Sequence, residues 1–233
     1  MRDTTRGGAQ ASVIGWLDER IPFVDAVDAE LYRRVPNFAT APYRYLGGVA
    51  VILIAVEFIT GFLLGIYYVP DGAGNPAAAF TSVVYIQQTV YLGWLIRGIH
   101  FWGANVLLVL VLLHMTFVFW NGGHRAPREL NWMIGVVIFL VIVLFTFTGS
   151  LLPWDANSYL ARGRELSIAS GTNVLPGGVS GFLKNVLQGG PLVGPATLLR
   201  FFMAHVFLLP ATMSLLLYLH FRLARRQGPA EPV

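Results

Sequence analysis

Crossing the hydrocarbon core of a bilayer takes about 20 consecutive apolar residues in a helix, and this chain of 233 residues supplies that length four times. Span A runs from about Leu46 to Tyr68, span B from Gly98 to Trp120, span C from Trp132 to Leu152 and span D from Phe201 to Phe221. Glu57 is the only Asp, Glu, Lys or Arg inside them. Segments without water around them must satisfy their own backbone and pack on one another, so the expected fold class is all-α, a transmembrane four-helix bundle. Composition agrees: 55% of the residues are hydrophobic and 12% are charged, against about a quarter charged in a soluble domain. The absence of cysteine excludes disulfides, thiolate zinc sites, cysteine-held iron–sulfur clusters, cysteine nucleophiles and thioether attachment of a cofactor.

The net charge of +4 reports membrane orientation before it reports nucleic acid, and no phosphate loop, serine triad or nucleic-acid patch accompanies it. Four crossings return the chain to its starting face. That face holds eleven of the basic residues: Arg2, Arg6, Arg20, Arg33, Arg34, Arg44, Arg125, Arg128, Arg222, Arg225 and Arg226. The other holds five, Arg97, Arg162, Arg164, Lys184 and Arg200. The positive-inside rule predicts a multi-pass protein of the inner (cytoplasmic) membrane with both termini cytoplasmic. No removable signal peptide is read at the start. From Ser12 to Arg34, Val13, Leu17, Ile21, Val24, Val27 and Leu31 recur at helical spacing among charges, which predicts an amphipathic N-terminal helix lying on the membrane surface. The expected division is an arm over 1–40, a bundle domain over 41–225 and a cytoplasmic tail over 226–233. The loop from about Pro153 to Arg200 is too long for a plain connector and predicts short helices covering something.

Four of the five histidines lie in spans B and D: His100 and His114, then His205 and His220. Ionisable side chains inside a membrane are costly and mark function. The separations are 14 and 15 residues, which on an α-helix rise about 21 and 22.5 Å and come close to four full turns. Spans B and D run in the same direction, so His100 and His205 share the outer level while His114 and His220 share the inner one. Two opposed neutral imidazoles are the axial ligands of a six-coordinate iron porphyrin, and two such sites stacked across the bilayer account for all four residues. A single histidine would read as interhelical glue. A zinc or copper site fits less well, because each level offers two imidazoles and no cysteine.

Span A carries Gly47 and Gly61, span C carries Gly135 and Gly149, and both separations are again 14. Such pairs are ordinary in helix packing, but sharing the histidine period suits them to clear room for a flat macrocycle at the same two depths. Arg97 and Arg200, just ahead of His100 and His205, are candidate partners for the porphyrin's propionates, and snorkelling interfacial arginines otherwise. Trp94, Trp102, Trp120 and Trp132 read as interfacial belt, and Pro210 predicts a kink in span D.

The stretches GWLIRGIH with His114 following, then PRELNWMIGVV, TGSLLPWD, TLLRFFMAH and LHFRLARRQG, together resemble the N-terminal four-helix half of cytochrome b in the quinol-oxidising cytochrome bc complexes. The 14 and 15 spacing resembles the b6-type branch, and the likeness covers about Trp16 to Gly228. The resemblance implies two non-covalent haems b, of low potential at His100 and His205 and of high potential at His114 and His220. It implies quinol oxidation at the outer face, with electrons passing to a Rieske iron–sulfur protein and, through the haems, to an inner quinone-reducing site. Pro153, Trp154 and Arg225 are then candidates for quinone contact. Implied partners are the Rieske protein, a separate subunit-IV-like chain bearing a PEWY-type motif, a cytochrome c or similar acceptor, membrane lipid and a second copy of the complex. A chain of this kind is an electron-transfer subunit of an oxidoreductase and is not a complete enzyme.

Several positions depart from the family. Tyr45 stands where branch members often have a cysteine holding an extra haem c, so no covalent haem is expected. Glu57 replaces the usual glutamine of span A, either as a protonatable group near the outer haem or as a partner bonded to span B. Phe117 replaces an arginine, leaving the inner propionates to Arg44, Arg128 or Arg225. Ser150 replaces a tyrosine, and Ala156 to Ser167 drifts from the quinol-pocket pattern. Two other readings compete: a dihaem anchor passing quinol electrons to another oxidoreductase such as a nitrate reductase, and a haem-free transporter using the histidines as a proton relay.

Overall fold

The computed structural model describes residues 45–171, 179–190 and 192–228. The surface helix expected over Ser12–Arg34, the whole N-terminal arm and most of the tail lie outside the described residues. The described chain is helical: α1 Leu46–Gly65, α2 Ala78–Gln88, α3 Gly93–Trp120, α4 Glu129–Gly149, α5 Ala156–Gly171, α6 Val179–Gln188, α7 Pro195–Met203 and α8 Leu209–Gln227, with a single π turn, Ala204–Leu208, between the last two. Four rods among them, α1, α3, α4 and α7 to α8 taken together, are long and apolar enough to cross a membrane. The four expected spans are therefore present, although α3 starts five residues earlier than Gly98 and the last rod runs on to Gln227.

Leucine, isoleucine, valine and phenylalanine occupy these rods on all sides, because lipid and protein core are equally apolar. Ile52, Ile59, Phe62, Val106, Val109 and Leu144 face outward, where a membrane chain meets lipid. Inside, α1 packs chiefly along α3, and α8 along α4. The buried core consists of Ala50 and Ile54 of α1, Leu107 and Val111 of α3, Ile138, Val141 and Ile142 of α4, and Leu209 and Met213 of α8. On every rod these residues fall between its two candidate site residues, so the core is an apolar plug separating two levels. We call the end carrying α2, α5 and α6 the loop side, and the end carrying the α3–α4 turn and the end of α8 the turn side.

Short helices do fill the long loop, as its length implied. They pack over a second cluster, Ala79, Leu151, Leu166, Val193, Leu198 and Phe201, that closes the loop side. Helix α2 was not anticipated. The buried Thr197 hydroxyl donates to the Gln188 carbonyl at 2.5 Å and accepts from Gly194 N–H at 3.0 Å, tying the end of α6 to the start of α7. The Arg162 guanidinium lies 4.3 Å over the Phe147 ring and donates to the Phe147 carbonyl at 3.3 Å and to Glu165 at 2.6 Å. Burial lowers its pKa from the ordinary arginine value, and the Glu165 carboxylate opposes that shift.

The π turn explains how separations of 14 and 15 residues can serve the same two levels. At about 100° per residue, 14 residues stop about 40° short of four turns and 15 overshoot by about 60°, so two uniform α-helices would aim their lower histidines apart. The π turn closes with the Leu209 N–H bonded to the Ala204 carbonyl, which absorbs one extra residue in a single wider turn. His205 lies inside it and His220 regains its register. Immediately downstream, Pro210 offers no N–H and crowds the carbonyl of Val206, so the irregularity expected at the proline takes this form.

Gly72 packs its bare Cα between the Trp154 ring and the Pro195 backbone, at positions 2.8 and 3.2 Å from where a Cβ would stand. Gly72→Ala is expected to destabilise the loop-side lid by about 1–3 kcal/mol, the usual effect of overpacking. Gly98→Ala, with open space around its Cβ, is expected to leave the thermal unfolding midpoint of the detergent-solubilised protein unchanged or slightly raised.

Candidate functional site

At the loop-side level His100 of α3 faces His205 of the π turn, with ring centroids 6.2 Å apart and planes 79° apart. Two imidazoles sharing one metal ion, each through a nitrogen about 2 Å from it, need a centroid separation of about 6 Å. Both rings are held from outside by threonine. Thr60 donates its hydroxyl hydrogen to the Val56 carbonyl at 2.7 Å, which leaves an oxygen lone pair to accept from His100 Nδ1 at 3.0 Å. Thr148 donates to the Leu144 carbonyl at 2.8 Å and accepts from His205 Nδ1 at 3.0 Å. With its hydrogen on Nδ1, each imidazole keeps the Nε2 lone pair free for a metal.

At the turn-side level His114 and His220 lie within electrostatic reach of each other. No threonine supports them, since Leu46 and Ile134 occupy the positions before Gly47 and Gly135. Instead His220 Nδ1 is buried without a hydrogen-bond partner, as is Asn131 Oδ1 one turn before Gly135 on α4. Orphaned polar atoms in a hydrocarbon-clad core signal an arrangement completed by something else.

All four predicted glycines meet these histidines, one each. A Cβ would stand 2.9 Å from the His114 ring at Gly47, 3.2 Å from His100 at Gly61, 3.5 Å from His220 at Gly135 and 2.6 Å from His205 at Gly149. The 14-residue period predicts glycines that clear room for a macrocycle, and in the structure each of them adjoins an imidazole ring. A longer residue would push the ligand ring into the gap between the helices, so the cradle fits a bis-imidazole cofactor at each level. Among the described residues no three His, Cys, Asp or Glu cluster as a bare-metal site.

The remaining candidates are more dispersed. Arg97 donates to Gln87 at 2.9 Å. Arg200 caps the end of α6, donating to the Val186 carbonyl at 2.5 Å and the Asn185 carbonyl at 3.1 Å. Trp154, next to Pro153, donates its indole N–H to the Gly72 carbonyl at 3.2 Å and meets Tyr159 edge-on. Arg225 lies in the last turn of α8. Glu57 turns to span B: its Oε2 lies 3.0 Å from His100 Nδ1. The sequence reading missed Thr60 and Thr148, although a Thr-Gly dipeptide stands at the loop-side position of both ligand-free spans and was there to be seen.

Fold and site define a class: a multi-pass membrane chain that presents opposed histidine pairs at two depths of a four-rod bundle. Residues 33–228 match the family model described as Cytochrome b/b6/petB. A cytochrome b6 of Prochlorococcus marinus strain AS9601 is 35% identical over 223 residues, 96% of this chain and 98% of that one. The menaquinol:cytochrome c reductase cytochrome b subunit of Geobacillus thermodenitrificans is 38% identical over 226 residues, 94% of this chain and 97% of that one. A solved chain of a hyperthermophilic respiratory Complex III superposes with a TM-score of 0.79 at 30% identity, over 92% of this chain and 55% of its own length. This chain thus spans about half the length of that one. The protein belongs to the cytochrome b/b6 family, whose cofactor is haem b.

The glycine contacts predict a graded series. Gly149→Ala, with the closest contact, is expected to cost about 1–3 kcal/mol in thermal stability and to lower the b-type haem absorbance of the purified protein. Gly135→Ala, at ordinary van der Waals distance, is expected to leave both near wild type.

Proposed function

We propose that this chain is the dihaem cytochrome b subunit of a Rieske/cytochrome b quinol-oxidising complex. His100 and His205 ligate a loop-side haem b, and His114 and His220 a turn-side haem b. The observation that carries the reading is the one-to-one facing of four glycines and four histidines at two depths. When bound, the haems supply one-electron carriers at two depths of the membrane. The residues of the chain do the rest. Thr60 and Thr148 hold the loop-side imidazoles in the tautomer that exposes Nε2. The plug from Ala50 to Met213 keeps water out of the layer between the levels, and the full-length rods hold that spacing at about 21 Å. Arg97 and Arg200, at the loop-side ends of the ligand-bearing rods, are assigned to the propionates there.

The surplus of arginine on the termini supports a loop side that faces outward and a turn side that faces the cytoplasm. Quinol oxidation belongs to the outward face, beside Pro153 and Trp154, and quinone reduction to the cytoplasmic face, near Arg225. The complex further requires a Rieske protein, a PEWY-bearing chain and a cytochrome c or similar acceptor, and is assembled as a dimer. Relatives named cytochrome b6 and menaquinol:cytochrome c reductase cytochrome b subunit support this setting.

A reduced-minus-oxidised spectrum with pyridine haemochrome quantitation is expected to return two protohaems per chain, one in His114→Ala or His220→Ala, and no haem retained on a denaturing gel. A colourless protein would return the histidines to a proton-relay role. Two haems with no co-purifying Rieske or PEWY-bearing subunit would favour the anchor of a different oxidoreductase.

A further inference from the structure

Glu57 is the one carboxylate in the middle of a membrane rod, and its side chain is only 11% exposed. One oxygen, Oε2, is 3.0 Å from His100 Nδ1. The other, Oε1, is buried without a hydrogen-bond partner and lies directly against Gly103, one turn after His100 on α3. Any side chain at 103 would occupy the place of that oxygen, so the pocket is shaped for the acid.

Three of the four histidines differ in what stands behind the ring. His100 has a carboxylate and a threonine hydroxyl, and His205 has a hydroxyl on the same atom. His220 Nδ1 has no hydrogen-bond partner. The Nδ1 hydrogen of His100 goes to Thr60, and the Glu57 oxygen stands 3.0 Å from the same nitrogen, where a carboxylate polarises the ring and makes it a stronger donor to a metal. A negative charge held close to iron in a low-dielectric surrounding also favours the more positive, oxidised state.

We infer that Glu57 is a positioning residue that acts through His100 to lower the reduction potential of the loop-side haem. The inference rests on the ligand assignment proposed above. The effect is confined to one level, because among the described residues the only His–carboxylate contact at either level is that of Glu57 with His100.

The test is a potentiometric titration of the full chain in its native membrane complex, followed in the b-haem absorption bands. The loop-side haem is identified from His220→Ala, which keeps only that one. In Glu57→Gln the reduced-to-oxidised ratio of the loop-side haem at a fixed ambient potential is expected to rise about tenfold, equivalent to about 59 mV for a one-electron couple. The turn-side ratio should not move, and Glu57→Asp should recover part of the wild-type ratio. Two bound haems with an unchanged loop-side ratio, or with both ratios shifted equally, would overturn the inference. If the glutamine variant fails to assemble, wild-type complex labelled with 13C-glutamate decides the matter by redox-difference infrared spectroscopy. A label-sensitive carboxylate band that shifts on reduction of the loop-side haem supports the role, and no such band refutes it. Absence of haem at the loop-side level would instead remove the ligand assignment itself.

Discussion

Everything in this bundle answers to the absence of water around it. A polar nitrogen buried between lipid-clad helices costs several kcal/mol unless it finds a partner, and four imidazoles bring eight nitrogens. The loop-side level settles two of them with Thr60 and Thr148, whose hydroxyls are already committed to backbone carbonyls and can only accept from the ring. That commitment fixes the tautomer, which in turn leaves the opposite ring nitrogen unprotonated and in want of a Lewis acid. The turn side shows the same demand differently, through a buried Nδ1 on His220 that has no hydrogen-bond partner among the described residues.

Much of this was legible in the residues. The apolar runs marked four rods, the 14-residue period of histidine and glycine marked two depths, and the helices of the long loop followed from its length. Other parts were not legible because they depend on where side chains meet. The 14- and 15-residue gaps both read as close to four turns, and the π turn at Ala204–Leu208 that reconciles them was not foreseen. Helix α2, AAFTSVVYIQQ, has too little apolar periodicity to stand out from a loop. Arg200 looked like a propionate partner from its position, yet it also caps the carbonyls of Asn185 and Val186, a task visible only once α6 is folded beside it. Glu57 was left between two readings, and its 3.0 Å contact with His100 meets both, since that residue is on span B and at the loop-side level.

Glycine and threonine divide the labour in a way that links fold to function. A glycine on each ligand-free level lets an imidazole approach the neighbouring backbone, and on the loop side the preceding threonine orients it. Rods α1 and α4 therefore carry none of the four histidines and still determine where those rings sit.

The most direct measurement is an experimental density map of the full chain within its native complex, at a resolution that separates a tetrapyrrole from side chains. Two tetrapyrroles are expected, one held by His100 and His205 and the other by His114 and His220. Histidine rings closed onto protein carbonyls or onto one another, with the space between the rods filled by side chains, would contradict that expectation.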